Sequence, residues 1–162
     1  DGNGDASIGS AGAVSQSGEG FQFWRQLALA GLIEGNYTGI ASSTAVNQSI
    51  VGTNVPASRI STAGWTVSGG TMGDVNNFNL NYNWGFIFGA QTSTNSTGGA
   101  ILKPEEAWGI DVKMDDGKPA QGRAIAVRLS TCTNAADMND YAADYLLSSS
   151  SIGCSMRFRN LF

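Results

Sequence analysis

Two stretches of this chain carry apolar residues at helical spacing. From Gly18 to Ile33, Phe21, Trp24, Ala28 and Leu32 form one stripe, and Phe23, Leu27 and Ala30 lie on a second flank. So wide an apolar arc predicts a helix clamped on more than one side. Ser17 is the expected N-cap, Glu19 sits in the first turn and Gly35 supplies the stop. A second helix is predicted from Lys103 to Met114, where Ala107, Ile110 and Met114 recur at helical spacing. Pro104 suits its first turn, and Glu105 and Glu106 suit the positive end of its dipole. Gly117 then ends the helix and Pro119 keeps it ended.

Between and after these helices the pattern changes to period two. Ala63 to Val67 and Asn81 to Phe88 are the best strand candidates in a region punctuated by Gly39, Gly52, Gly64, Gly69, Gly70, Gly98 and Gly99. In the second, Tyr82, Trp84, Phe86 and Phe88 alternate with Asn83, Gly85 and Ile87, so one face is expected to carry four aromatic rings. Such a face suits a core, with a sugar-binding platform as the alternative. Arg123 to Leu129 reads as a strand with Ile125, Val127 and Leu129 on one side, and Ile152 to Phe158 as the closing strand. Asp140 to Leu147 fits helix or strand. Arg157 and Arg159, alternating with Met156 and Phe158, are expected on a solvent-facing side. The order predicts an α+β fold in one domain over 1–162: a loop at 1–17, a helix at 18–33, and a sheet and loop region at 36–162 that holds the helix at about 103–114.

Composition narrows the chemistry. Histidine is absent, which removes the commonest general base, the usual activator of Ser or Cys and the commonest zinc ligand. Carboxylate-only chemistry such as glycoside hydrolysis survives that test. Charged residues make up 14% and the formal net charge is −4, a balance that argues against nucleic acid or anionic lipid as partner. Gly69-Gly70 and Gly98-Gly99 lack the Lys-Ser/Thr of a phosphate loop, so no nucleotide is expected. Asp111, Asp115 and Asp116 beside Lys113 are expected to cap the second helix and form its turn rather than act as acids and bases. The Asn-x-Ser/Thr triplets at Asn36, Asn47 and Asn95 are read as incidental.

Cys132 and Cys154 enclose a short loop, and an oxidising compartment would pair them; two unpaired thiols are the cytosolic alternative. No run of eighteen apolar residues and no basic-then-apolar leader is present, so the expectation is a soluble, exported domain given without its targeting segment. Asp1, Asn3, Asp5 and Ser7 stand at alternate positions as in the first half of an EF-hand loop, with Ala6 in place of the glycine and Gly12 in place of the closing glutamate. Glu19 could supply the missing carboxylate, which makes Asp1, Asn3, Asp5, Ser7 and Glu19 a candidate Ca2+ site; a solvated Asx-rich turn is the alternative.

The segment from Glu105 to Arg123, with its pattern A-x-x-I-D-x-K-x-D-D-G-x-P-x-x-G, resembles the C-terminal globular part of bacterial type IV pilin-like proteins and type II secretion pseudopilins. Asp1-Gly-Asn-Gly-Asp5 is similar to the D-G-x-G-D turn of that family. Glu19 with Phe23 to Ile33 is similar to the helix that follows it. Tyr37-Thr-Gly39 and Asn54-Val-Pro-Ala-Ser58 fall where the family has y-x-G and N-x-P-x-S. The cysteine pair resembles the disulfide-bounded region that varies between pilins, and the family's C-terminal calcium loop would map to Asp137, Asn139, Asp140 and Asp144. The family's N-terminal apolar helix has no counterpart here, so the head is expected either to be cut from a longer chain or to dock on a helix-only partner. The resemblance implies a pilin-like head, noncatalytic, that assembles with other pilin or pseudopilin subunits into a filament on the extracellular or periplasmic face of a bacterial envelope. The alternative is an adhesin-like, carbohydrate-binding module using Trp65, Trp84 and Trp108; an acidic-pair glycosidase is a third reading.

Overall fold

The computed structural model describes residues 8, 18–41, 48–60 and 62–160. The expected loop at 1–17, apart from Ile8, and the Ser17 cap lie outside the described residues. Helices and antiparallel strands make up the fold, which is α+β in class.

The first helix, α1 (Glu19–Leu29), is shorter than its apolar pattern predicts. Gly31, at φ 69°, takes the left-handed conformation, donates its N–H to Ala28 O, and lets the Leu32 N–H reach Leu27 O at 3.0 Å. This is a Schellman closure, and glycine occupies its left-handed position at no steric cost. The stop is therefore Gly31 and not Gly35, and Leu32, expected on the buried stripe, is 71% exposed. Phe21 and Trp24 are buried as the stripe requires.

Among the described residues six strands follow α1, in two sheets. β1 (Ala63–Ser68) pairs with β4 (Gly85–Ala90), while β2 (Thr71–Met72) and β3 (Leu80–Asn81) form a separate two-stranded ladder. The second helix, α2 (Pro104–Met114), precedes β5 (Ala124–Ala126) and β6 (Met156–Phe158). The four-stranded sheet runs in the order β1-β4-β6-β5, antiparallel throughout. One row of the ladder aligns Trp65, Phe88, Met156 and Ala126; the next, on the opposite face, aligns Thr66, Ile87, Arg157 and Ile125.

Helix α1 packs on β1 and α2 packs on β5. Phe21, Trp24, Val55 and Val67 form the core under α1, and Phe88, Leu102, Ala107, Met156 and the two cysteines form the core under α2. Trp65 bridges the two, with its ring 4.7 Å from that of Phe88 and 5.8 Å from that of Phe158. A third cluster of Phe78, Tyr82, Ala120, Ile125 and Ala143 covers the other face.

Three expectations are corrected. The aromatic run from Tyr82 to Phe88 does not share one face: Asn83, at φ 46°, breaks the strand, so Tyr82 joins Phe78 and Ile125 while Phe86 and Phe88 meet the tryptophans. Ile125 and Val127 likewise separate into different clusters, because regular pairing stops at Ala126. Arg157 does not face solvent. Its guanidinium carbon lies 5.7 Å from the Tyr82 ring centroid, and burial lowers its pKa.

Candidate functional site

The helix and turn that open the C-terminal third are joined to the disulfide-bounded loop by a buried polar contact. Along α2 the inward positions are Pro104, Ala107 and Asp111, spaced for one helical face. Of the expected stripe Ala107 is buried, Ile110 is half-buried and Met114 is 55% exposed, so Asp111 occupies the inward place that Met114 was expected to fill. Its carboxylate accepts a hydrogen bond from the Tyr145 hydroxyl at 2.8 Å and another from the Gly117 N–H at 3.3 Å. Burial pushes the Asp111 carboxyl up to about 6, against the opposing pull of those two donors, and Asp116 and Asp115 raise it further. Burial also raises the pKa of Tyr145, and the neighbouring Asp111 charge adds to the effect.

The other acids of this segment fold the turn. Asp115 accepts from the backbone N–H groups of Arg123 and Ala124, and Asp116 accepts from the Lys118 N–H at 2.8 Å. Glu106 reaches back to the Lys103 N–H at 2.8 Å, closing the N-terminal end of α2. All three Asp residues thus have the capping and turn roles expected of them, and Asp111 has a core role in addition.

Cys132 and Cys154 form a disulfide, with a sequence separation of 22. The enclosed loop, which includes the ambiguous Asp140 to Leu147 stretch, is built of turns and an isolated bridge between Thr133 and Tyr145. Within it Asp137 accepts from the Asn139 N–H at 2.7 Å, Asp140 accepts from the Ala136 N–H at 3.0 Å, and Asp144 pairs with Lys118 at 2.6 Å. These side chains serve separate turns. Among the described residues no group of three or more His, Cys, Asp or Glu converges to hold a metal ion. Of the first calcium candidate only Glu19 is described, at the start of α1; Asp1, Asn3, Asp5 and Ser7 lie outside the described residues.

The two shorter motifs prove to be structural joints. Gln22 of α1 donates to Gly39 O at 2.8 Å, and Gly39 has φ 74°, with a Cβ there meeting the Arg25 side chain at 2.6 Å. Tyr37 is buried and donates to Glu34 O at 2.9 Å. Asn54 is 1% exposed and ties three backbone groups: it accepts from Ile50 N–H and donates to Ile40 O and Gln48 O. Pro56 O accepts from Trp65 N–H, and Ser58 Oγ accepts from Ile60 N–H, so the Asn54 to Ser58 run leads directly onto β1.

The tryptophans named for a binding platform are placed differently from one another. Trp65 and Trp84 are half-buried, and Trp108 on α2 is 39% exposed. A pocket missed by sequence reasoning lies instead beyond β5, where Gln121, Gly122, Tyr141 and Arg159 meet Leu80 around a volume of about 550 Å³. Its parts come from segments far apart in sequence, so no local pattern signals it.

Comparison of the chain with family models, with curated proteins and with solved structures gave no match.

Proposed function

We propose that this chain is the globular head of a type IV pilin-like subunit or type II secretion pseudopilin, a noncatalytic building block of a filament outside the bacterial cytoplasm. The observation that carries this reading is the unit formed by α2, its Asp-Asp-Gly turn and the disulfide-bounded loop. The residues that match the family pattern from Ala107 to Gly122 are those that fasten this unit together, through Asp111 to Tyr145 and Asp115 to the start of β5. The y-x-G and N-x-P-x-S matches support it in the same way, since Gly39 docks α1 and Asn54 knits the approach to β1. In the filament an N-terminal apolar helix, on the same polypeptide or on a helix-only partner, holds the subunits together, and the loops of this head face outward. Calcium bound by Asp1, Asn3, Asp5, Ser7 and Glu19 would brace the approach to α1, with oxygen donors suited to a hard cation.

Immunogold labelling with an antibody to the head tests the proposal. The expected result is decoration along extracellular filaments that disappear when the gene is deleted. Diffuse envelope labelling, together with a reading frame that encodes no apolar helix upstream and no helix-only neighbour, would overturn it.

A further inference from the structure

The pocket beside β5 combines a charged donor, an amide and an exposed ring. Arg159 donates from Nε to Gly122 O at 2.6 Å and from Nη1 to Asn81 O at 3.2 Å, which holds the guanidinium still and leaves Nη2 without a hydrogen-bond partner among the described residues. Gln121 donates from Nε2 to Tyr141 O at 2.8 Å, so its Oε1 remains as an acceptor. The Tyr141 hydroxyl donates to Asn79 O at 2.8 Å, fixing a ring that is part of a residue 39% exposed.

Two arginines and a carboxylate meet beside it. Ala124 pairs with Phe158, and the Arg159 N–H bonds to Arg123 O at 2.9 Å, so Arg123 and Arg159 sit opposite each other on adjacent segments. Like charges so placed destabilise a sheet. Neither forms an ion pair among the described residues, where the salt bridge present joins Lys118 and Asp144. Of the nearby acids Asp144 is neutralised by Lys118, while Asp115, which accepts from the Arg123 and Ala124 N–H groups beside Gly122, and Asp140, which accepts from the Ala136 N–H, keep their charge. Two arginines opposite each other thus set positive charge at one edge of the pocket, with the Asp115 carboxylate beside Gly122 next to it.

We propose that this pocket binds a carboxylated sugar, a uronic-acid residue of an acidic polysaccharide. The carboxylate takes Arg159 Nη2 and the field of Arg123, a charge-assisted contact. A ring hydroxyl donates to Gln121 Oε1, and the Tyr141 ring and Leu80 cover the apolar face of the pyranose. The depression is wide and open to solvent, so the sugar would lie across it with one face covered. This site is independent of filament assembly and can be tested on the isolated chain.

The experiment is an NMR titration of the 15N-labelled chain with a glucuronate-containing disaccharide, its neutral glucose counterpart, acetate and inorganic phosphate. The acidic disaccharide is expected to bind about tenfold more tightly than the neutral one, and its affinity to fall as salt rises. Shifts should centre on Gln121, Gly122, Tyr141 and Arg159. Arg159→Gln should abolish binding. If that variant fails to fold, because Arg159 holds two carbonyls, Arg123→Gln decides, with an expected loss of about threefold from a charge near the site. Equal affinity for acidic and neutral sugars, no shifts, shifts elsewhere, or unchanged affinity in Arg123→Gln would overturn the proposal. So would acetate or phosphate binding as tightly as the acidic sugar, which would leave a bare anion site.

Discussion

Replacing Asp111 by Asn tests the buried contact between α2 and the disulfide loop. The wild-type carboxyl is fully buried and its pKa is raised from 3.8 to about 6, so between those values the folded state holds a proton that the unfolded state has released. Stability from this group is therefore complete below the unfolded value and is lost as pH rises through the folded one. At neutral pH the fold carries a buried charge at a cost of about 3 kcal/mol from the shift taken whole, and about 2 kcal/mol once solvent screening is allowed for. The amide introduced by Asp111→Asn keeps the Gly117 N–H contact through its oxygen and reverses the other, its nitrogen donating to the Tyr145 oxygen, which turns the hydroxyl proton elsewhere. Thermal unfolding followed by circular dichroism at pH 4 and pH 7.5 is the assay. At pH 7.5 D111N should melt about 4–8 °C above wild type, since in a domain of this size 1 kcal/mol moves Tm by about 2–4 °C. At pH 4 the two should differ by much less. Taking the difference between the two proteins cancels other carboxylates such as Asp74. Burial raises the pKa of Asp74, but the Asn76 and Asn77 donors outweigh it and leave it lowered, so its pH dependence has the opposite sign. A difference that stays constant across this range, or a variant less stable at pH 7.5, would refute the assignment of Asp111 as a buried charge.

Three further outcomes follow from the fold. Cys132→Ser with Cys154→Ser should lower stability by about 3 kcal/mol in the chain-entropy model, and denaturant melts of the variant should match those of the reduced wild-type chain. Asn54→Ala leaves three backbone groups without their partner and should cost about 2–4 kcal/mol, read as a lower urea midpoint with an unchanged slope. Millimolar calcium should raise Tm and EGTA should lower it; an unchanged melt after thorough chelation removes the calcium site.

Local signals made the helices and the first strand legible. Pro104, the acidic first turn and Gly117 bracket α2 so closely that only its first residue differs from expectation, and the alternation in Ala63 to Val67 is β1 with one residue added. Where reading failed, a single backbone conformation or a distant neighbour decided. The left-handed turns at Gly31 and Asn83 cut short an apolar pattern that continues in the sequence. Arg157 alternates like a surface residue, yet the far face of its strand is covered by the Phe78 and Tyr82 segment, which has no regular period to announce it. Asp111 reads as a cap because its Tyr145 partner lies 34 residues away in a stretch without a clear pattern.

Strand β6 lies between β4 and β5, although it follows both in the sequence. Until residues 156–158 arrive, β5 has no strand to pair with and β4 lacks one neighbour. Cys154 stands just ahead of β6, so Cys132 gains its partner at nearly the same stage of synthesis. During synthesis the sheet thus stays open until residues 156–158 have emerged, and its long-range contacts to β6 form only after them. The order of strands makes the last-arriving strand the one that joins the sheet's two halves.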